Sequence, residues 1–324
     1  MHQWLTRIAL AAALAVPAAH AFEPSKVECI APADPGGGWD FTCRSVGRIL
    51  SELDLVPGSV TVTNMAGAGG GVAYGYVVGK RADDNNLLVA ASTATTSRLA
   101  QNKFAGLSAD QTRWVGSLGA DFGAIAVAAD SPYEDLGDLM AAVKDNPRQV
   151  AFGGGSAVGG WDHMKVLMLA KEAGVDNVRN VKYVSFNNGG TALTQMIGGH
   201  IQAFTGDISE LTGQIDAGKI RILGVLADER LPDQFSELPT AREQGFDVVG
   251  ANWRGFYMGG DVSDEAYQYW VDALESLYES DAWKEAMSKN GLVPFQRSGE
   301  DMEQFVDQQV NDLRELSQEI GLLQ

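Results

Sequence analysis

Residues 30–40 read Ile-Ala-Pro-Ala-Asp-Pro-Gly-Gly-Gly-Trp-Asp, and residues 150–162 read Val-Ala-Phe-Gly-Gly-Gly-Ser-Ala-Val-Gly-Gly-Trp-Asp. Each segment passes from a short apolar stretch through a glycine-rich turn into the start of an amphipathic stretch. This order is typical of a strand, a tight turn and a helix, and both turns end in Gly-Trp-Asp. The shared plan indicates that the chain contains two similar halves.

Short apolar runs and amphipathic stretches alternate along the rest of the chain. Such alternation is typical of α/β proteins in which helices cover both faces of mostly parallel sheets. We expect, among others, strands at Arg113–Leu118 and Ala124–Ala128 and helices at Tyr133–Asp145, Ile208–Ala217 and Asp264–Lys289. The helix at Tyr133–Asp145 is expected to begin through Ser131-Pro132, because proline suits the first turn of a helix.

A third glycine-rich turn, at residues 64–71, reads Asn-Met-Ala-Gly-Ala-Gly-Gly-Gly. Glycine lets the backbone approach a ligand closely, and a helix N-terminus behind the turn presents free N–H groups and a partial positive charge. The three turns therefore predict an anion-binding site. Tight packing of strands against helices, without a ligand, is the alternative interpretation.

Composition and charge limit the class of protein. The length of 324 residues is typical of two domains. The 24 Lys and Arg residues face 42 Asp and Glu residues, which gives a net charge of −18. A surface that binds nucleic acid needs a basic face, so this acidic excess argues against that function.

The first 21 residues are predicted to be a cleavable signal peptide for export. Arg7 supplies a positive charge, Ile8–Val16 is an apolar run too short to span a bilayer, and residues 19–21, Ala-His-Ala, form a small-x-small cleavage site. Cleavage after Ala21 makes Phe22 the new N-terminus. The alternative is that this segment is an apolar first helix of the domain.

The chain has two cysteines, Cys29 and Cys43. An exported protein meets an oxidising compartment, and a strand can lie close to the helix that covers it, so a Cys29–Cys43 disulfide is predicted. Free buried thiols are the alternative. With His163 and His200 as the histidines of the mature chain, a structural zinc site is not expected, and the sequence implies no cofactor.

The sequence motifs do not assemble a catalytic set. The glycine turns lack the G-x-G-x-x-G spacing of dinucleotide-binding proteins, and residues 213–220 resemble a P-loop that ends in Ile220 where Ser or Thr would bind magnesium. Ser156 lacks the flanking glycines of a nucleophile elbow, because Val158 takes the place of the second one. The sequence therefore favours a binding protein over an enzyme.

Six segments share their order and spacing with one known family: 32–40 (PADPGGGWD), 67–70 (GAGG), 154–157 (GGSA), 183–190 (YVSFNNGG), 238–245 (LPTAREQG) and 252–255 (NWRG). Through them the chain resembles the TctC family, also called Bug receptors, the substrate-binding proteins of tripartite tricarboxylate transporters. Residues 253–255 and the paired cysteines are similar to the tricarboxylate branch. Asn187-Asn188 departs from the family, in which many members have Lys-Gly or Gly-Gly.

The resemblance implies a two-lobed periplasmic binding protein of type II, which closes on its ligand like a Venus flytrap. Each lobe is expected to be a mostly parallel sheet flanked by helices, with two hinge crossings near 119–123 and 249–253. After the signal peptide, 1–21, lobe one is then 22–120 plus 252–324, and lobe two is 121–251. The expected protein is a periplasmic monomer whose partners are two permease subunits, one small and one large.

The predicted ligand-binding residues come first from the two Gly-Trp-Asp turns. They are Gly36, Gly37, Gly38, Trp39 and Asp40 in the first turn and Ser156, Ala157, Val158, Gly159 and Gly160 in the second. Main-chain N–H groups of each turn are expected to bind one carboxylate. Main-chain contacts carry no side-chain code, so they do not identify the acid.

Four single positions complete the predicted site. Ser92 and Thr93 follow a strand end and offer hydroxyls, or only cap a helix. Arg254 is either a clamp that binds a carboxylate with two hydrogen bonds or a salt-bridge partner of a protein acid. Asp207 accepts from a ligand hydroxyl or a water, or caps a loop.

The function that follows is a receptor that captures a small di- or tricarboxylate, citrate-like, and delivers it to a tripartite transporter. Two alternatives belong to other classes of protein. One is a periplasmic enzyme that acts on a carboxylic acid, which needs a general base. The other is a ligand-sensing module for a sensor kinase.

Overall fold

The computed structural model describes residues 22–323, so the predicted signal peptide lies outside the described residues. In the described part, no helix is both long and apolar enough to cross a membrane. The strands are β1 Glu28–Ala31, β2 Thr61–Asn64, β3 Leu87–Ser92, β4 Thr112–Ala128, β5 Ala151–Gly154, β6 Lys182–Ser185, β7 Ala203–Asp207, β8 Ile220–Val225, β9 Ala251–Gly259 and β10 Val293–Ser298. The helices are α1 Gly38–Glu52, α2 Gly71–Lys80, α3 Thr93–Ala100, α4 Leu136–Asp145, α5 Trp161–Glu172, α6 Gly189–Ile197, α7 Thr212–Asp216, α8 Asp264–Glu279, α9 Asp281–Asn290 and α10 Gly299–Glu319.

The strands form two groups that the long strand β4 joins. In the order β2-β1-β3-β9-β4-β7-β5-β6, the neighbours β2, β1 and β3 run parallel, as do β7, β5 and β6. Residues 112–122 of β4 pair antiparallel with β9, and residues 123–128 pair antiparallel with β7 and β8. We call β1, β2, β3, β9, β10 and residues 112–122 of β4 the first lobe. We call β5, β6, β7, β8 and residues 123–128 of β4 the second lobe.

Helices cover both faces of each strand group, as the α/β prediction requires. In the first lobe α1, α8 and α9 pack on one face through side chains that include Leu50, Trp270 and Trp283, and α2 and the start of α10 cover the other. In the second lobe α4 and α5 cover one face and α6 the other. Burial of each such large side chain contributes about 1.5–3 kcal/mol. The predicted fold class is confirmed, and the sheet is mixed because β4 and β9 run antiparallel to their neighbours.

Four predicted elements merge, shorten or divide in the observed structure. The strands expected at Arg113–Leu118 and Ala124–Ala128 are one strand, because Asp121 and Phe122 continue the pairing with β9. The stretch 208–217 is a single 3-10 turn followed by α7, and 264–289 divides into α8 and α9 at Ser280, whose backbone is extended.

Helix α4 begins later than Ser131-Pro132 predicts. The side chain of Asp135 accepts the N–H of Asp138 at 2.8 Å and so caps the helix. The hydroxyl of Ser131 instead accepts the N–H of Tyr133 in the preceding turn.

The predicted hinge crossings lie side by side. Gly123 donates its N–H to the carbonyl of Gly250 at 2.9 Å, and Leu226 donates to the carbonyl of Gly123 at 2.7 Å. Near the C-terminus, Leu313 of α10 and Ile320 pack into the core of the second lobe. The chain thus passes between the lobes at β4, at the start of β9 and along α10, and the predicted lobe boundaries stay a prediction.

Cys29 of β1 and Cys43 of α1 form a disulfide, with 5.7 Å between their Cα atoms. The bond ties the first strand to the helix that follows the first Gly-Trp-Asp turn. This is the pairing that the sequence predicts.

Candidate ligand-binding site

A cavity lies between the two lobes and is lined by both Gly-Trp-Asp turns. The residues that line it are Ala33, Gly37, Gly38, Trp39, Gly69, Ser92, Ala94, Arg98, Gly155, Ser156, Ala157, Gly160, Trp161, Asp162, Asn187, Asn188, Gly189, Asp207, Glu210, Asn252 and Arg254. About 60 Å³ is open to the centres of water molecules. That is room for about four to six waters.

The first turn is held by the carboxylate of Asp40. This carboxylate accepts hydrogen bonds from the N–H of Gly36 at 3.0 Å, from Arg44 Nε at 2.9 Å and from Asn64 Nδ2 at 2.9 Å. Burial raises the pKa of Asp40, but the three hydrogen bonds lower it more, so the net pKa is lowered. Gly36 has a φ of +91°, which favours glycine. The first turn of α1 therefore faces the cavity in a fixed orientation.

The second turn is held by the corresponding residue of the other Gly-Trp-Asp. Asp162 accepts a hydrogen bond from the hydroxyl of Ser156 at 2.8 Å and donates its own N–H to that hydroxyl at 3.2 Å. The N–H of Gly160 donates to the carbonyl of Ala157 at 2.7 Å. The loop closes on itself just before α5 begins at Trp161.

The first-turn N–H groups of α1 and α5 have no acceptor within their own helices. The start of α6, at Asn188 and Gly189, lines the same cavity. Asn188 caps α6 through the N–H of Thr191 at 2.7 Å, and its Nδ2 donates across the cleft to the carbonyl of Pro35 at 3.3 Å. Three helix N-termini from two lobes thus meet at one cavity, an arrangement that favours an anion.

Charged side chains form a buried cluster at the base of the cavity. Arg254 Nη2 lies 2.7 Å from Asp121 Oδ2 and 2.9 Å from Asp207 Oδ2. Lys165 Nζ lies 2.8 Å from Asp207 Oδ1 and 2.9 Å from Asp162 Oδ1. The guanidinium of Arg254 is therefore already paired with two carboxylates, which agrees with the salt-bridge interpretation of this residue.

Glu210 belongs to the same buried cluster, and its pKa is raised. Burial, together with the carboxylates of Asp207 and Asp162, raises the pKa of Glu210 to about 8. Its Oε2 accepts the N–H of Asp207 at 3.2 Å. Burial likewise raises the pKa of Asp121 to about 6, although Arg254 opposes the shift.

The structure brings part of the predicted site to the cavity. The predicted residues that line it are Gly37, Gly38, Trp39, Ser92, Ser156, Ala157, Gly160, Asp207 and Arg254. Their ligand contacts stay predictions. Some of their polar groups already have protein partners: Ser92 caps α3 and accepts the indole N–H of Trp39 at 3.1 Å, and Asp207 accepts from Asn252 at 2.6 Å as well as from its two cations.

The other predicted residues do not line the cavity, and the contacts or the solvent exposure of each explain why. Gly36 gives its N–H to Asp40, whose carboxylate holds the turn, and Thr93 donates its hydroxyl to the carbonyl of Ala251 at 3.1 Å. The side chain of Val158 points to solvent, with 61% of the residue exposed. Gly159 donates its N–H to His163 Nδ1 at 3.0 Å.

Sequence reasoning missed Arg98, Trp161, Asp162, Asn188, Glu210 and Asn252, all of which line the cavity. Asp162 could have been predicted from the sequence, because it occupies the same position in the second turn as Asp40 in the first. Arg98 and Glu210 carry no motif, since packing of α3 and of the turn after β7 brings them there. Among residues 22–323, no group of three or more His, Cys, Asp and Glu side chains is arranged to hold a metal ion.

Comparison with known proteins agrees with this architecture. Two relatives from Bordetella pertussis strain Tohama I are similar in sequence. One, a UPF0065 protein, is 27% identical over 98% of this chain and 97% of its own length. The other, protein BugT, is 24% identical over 89% of this chain and 86% of its own length.

Solved structures share the fold. MatC from Rhodopseudomonas palustris, with bound malate, superposes with a TM-score of 0.80 at 20% identity, over 90% of this chain and 98% of that one. The R. palustris protein Rpa4515, with adipate, gives a TM-score of 0.82 at 21% identity, over 91% and 97%. The family model described as "Tripartite tricarboxylate transporter family receptor" matches residues 51–322. The chain therefore belongs to the TctC family, the receptors of tripartite tricarboxylate transporters.

Proposed function

We propose that this chain is an exported, periplasmic solute-binding receptor for a small di- or tricarboxylate, citrate or a close relative. It captures the acid between its lobes and delivers it to the two permease subunits, one small and one large, of a tripartite transporter. The observation that carries the proposal is the meeting of the α1 and α5 N-termini, from opposite lobes, at one cavity. A ligand that uses both must contact both lobes.

The main-chain donors define how a carboxylate binds. At the first turn these are the N–H groups of Gly37, Gly38 and Trp39, and at the second those of Ala157 and Trp161, which begin or precede the helices. The N–H groups of Gly36, Gly159 and Gly160 already have protein acceptors. A carboxylate at each turn receives several N–H donors and the positive end of a helix dipole.

A strongly acidic protein can hold an anion in this way. The helix N-termini act at contact distance, whereas the field of exposed surface carboxylates is screened beyond about 8 Å at physiological salt. Within the cluster, the two cations Arg254 and Lys165 offset two of the three negative charges of Asp121, Asp162 and Asp207. The raised pKa of Glu210, about 8, keeps it from adding a full further charge at neutral pH. The malate in MatC and the adipate in Rpa4515 support a small carboxylate as the ligand.

A thermal-shift screen of the mature chain, residues 22–324, tests the ligand class. At a hundred times its dissociation constant a ligand adds about 2.7 kcal/mol to the free energy of unfolding. In a chain of this size we expect a rise in melting temperature of about 2 °C or more. The screen uses citrate, malate, succinate, glutarate and adipate, with acetate and glucose as controls. No shift with any di- or tricarboxylate rejects the ligand class.

Mass analysis of the recovered ligand separates a receptor from an enzyme. Glu210 lines the cavity and has a raised pKa, so a general acid is chemically available there to an enzyme. The receptor proposal expects the acid to be recovered unchanged after prolonged incubation. A product of altered mass favours the enzyme instead.

A further inference from the structure

Arg98 of α3 is a buried cation in the cavity wall whose charge the described residues leave unpaired. The residue is 9% exposed and lines the cavity. It lies between the lobes: a Cβ placed on Gly69 of the third glycine turn would be 3.4 Å from Arg98 Nε, and one placed on Gly159 would be 3.5 Å from Nη1. Its surroundings thus come from the first lobe on one side and the second on the other.

The hydrogen bonds of Arg98 leave part of the guanidinium free. Nη1 donates to the carbonyl of Val158 and to Gln101 Oε1, both at 3.1 Å. Nε is buried, and neither it nor Nη2 has an acceptor among residues 22–323. Arg98 also forms no salt bridge within the described chain, and burial lowers its pKa with no opposing carboxylate.

Arg254, which also lines the cavity, and Lys165 of the buried cluster are in a different situation. Arg254 is paired with Asp121 and Asp207, and Lys165 with Asp162 and Asp207. A new carboxylate at either of them competes with protein acids already in place. A new carboxylate at Arg98 competes with none. Because an unpaired buried charge is unfavourable, the free donors of Arg98 strongly favour an anion.

Building on the function proposed above, we infer that Arg98 binds the second carboxylate of the ligand and so makes the receptor selective for diacids. The first carboxylate sits on the helix N-termini, which recognise any carboxylate. Arg98 contributes the contact that a monoacid of the same length cannot use. Arg98 also donates to Val158 on the second lobe, so its charged end reaches its final position when the lobes are closed.

The test compares diacids with their monoamides, which keep the length and shape but lose one charge. Native protein, Arg98→Gln and Arg98→Lys are titrated calorimetrically with succinate, glutarate and adipate and with the monoamide of each. Glutamine retains an N–H donor for the carbonyl of Val158. Arg314→Gln is the matched control, because Arg314 of α10 donates to the carbonyl of Ala100, the last residue of α3, without lining the cavity.

We expect Arg98→Gln to weaken the best-bound diacid more than tenfold and its monoamide less than threefold. Arg98→Lys should recover part of the diacid affinity, since lysine keeps the charge but not the planar geometry. Arg314→Gln should leave both affinities within twofold of native. Melting temperatures of the unliganded variants show whether each is folded.

Two outcomes overturn the inference, and they are distinguishable. If Arg98→Gln weakens the diacid and the monoamide by the same factor, Arg98 only links the lobes, and the proposed function survives. If the native protein binds none of the three diacids and does not bind citrate, the proposed function fails, and the assignment of Arg98 fails with it.

Discussion

Asp207 and Arg254 form an ion pair across the two lobes, with 2.9 Å between Oδ2 and Nη2. Asp207 ends β7 in the second lobe, and Arg254 stands in β9 of the first. Their side chains are 5% and 3% exposed. The arginine that the sequence offered as a ligand clamp is therefore part of the interior that joins the lobes.

Arg254→Ala is expected to reduce the stability of the fold. Removal of one partner from a buried ion pair leaves an uncompensated charge, which costs about 3–5 kcal/mol. Here Asp121 loses its salt-bridge partner, while Asp207 loses Arg254 but keeps Lys165. Urea unfolding at pH 7 measures the loss of unfolding free energy.

The control for this prediction is Arg48→Ala. Arg48 pairs with Glu52 on the exposed face of α1, and exposed pairs contribute about 0–1 kcal/mol. The salt-bridge interpretation is wrong if Arg254→Ala is as stable as Arg48→Ala but has lost its affinity for carboxylates. Arg254 would then be a ligand clamp after all.

Glu210 is expected to make the stability of the protein depend on pH. Its pKa rises from 4.5 to about 8 on folding, so the native state retains a proton that the unfolded state has released. The native state therefore binds more protons between these pH values, and stability falls as the pH rises from about 4.5 to about 8. Glu210→Gln keeps the shape without the titrating group.

Urea unfolding of both proteins at pH 5, 6.5 and 8 measures this effect. The unfolding free energy of the native protein, minus that of Glu210→Gln, should fall steadily as the pH rises. The difference isolates Glu210 from Asp121 and His163, which also have shifted pKa values. A difference that stays constant from pH 5 to pH 8 would show that Glu210 is ionised throughout.

The sequence predicted the two glycine turns and the class of fold because both are local signals. Glycine at Gly36 is required by its positive φ, and the Gly-Trp-Asp motif places Asp40 and Asp162 where each can hold its own turn. The disulfide could be predicted because Cys29 and Cys43 lie in a strand and in the helix that covers it.

The rest depends on packing that no short segment encodes. Arg98 lies in Thr-Thr-Ser-Arg-Leu, an ordinary helical stretch, and reaches the cavity because α3 packs against α10 and faces the second lobe. The partners of Arg254 come from residues 133 and 47 positions away in the chain. A sequence does not distinguish an arginine that forms salt bridges with carboxylates from one that forms none.

The Cys29–Cys43 disulfide is expected to contribute about 3 kcal/mol. The cysteines are 14 positions apart, and closing a loop of about 15 residues reduces the entropy of the unfolded chain by that amount. Urea unfolding with and without a reducing agent measures the contribution. Intact-mass analysis of periplasmic protein should show a chain that begins at Phe22 and lacks free thiols. Two free thiols per chain contradict the prediction.

Substitution of a turn glycine tests whether the two lobes close on one ligand, and the structure decides which glycine to use. Gly159 has a φ of +79°, so a valine there is strained whether or not a ligand binds. Gly37 has a φ of −100° and a ψ of 173°, an extended conformation that valine adopts readily. A Cβ at Gly37 would lie 3.1 Å from Asn188 Cβ on the second lobe. Gly37→Val therefore blocks the closed form without straining its own backbone.

Gly37→Val is expected to keep the unfolding free energy of the unliganded protein and to lose carboxylate binding. Valine adds methyl groups beyond a Cβ position already tight against Asn188, so the lobes cannot close and the α1 and α5 N-termini cannot share a ligand. The matched control is Gly79→Val in α2, where an added Cβ meets no heavy atom within 4 Å and binding should be native. Fluorescence of Trp39 and Trp161, which line the cavity, reports closure during a citrate titration. If Gly37→Val binds and closes like Gly79→Val, the first turn only packs against its neighbours, and the ligand does not bridge the lobes there.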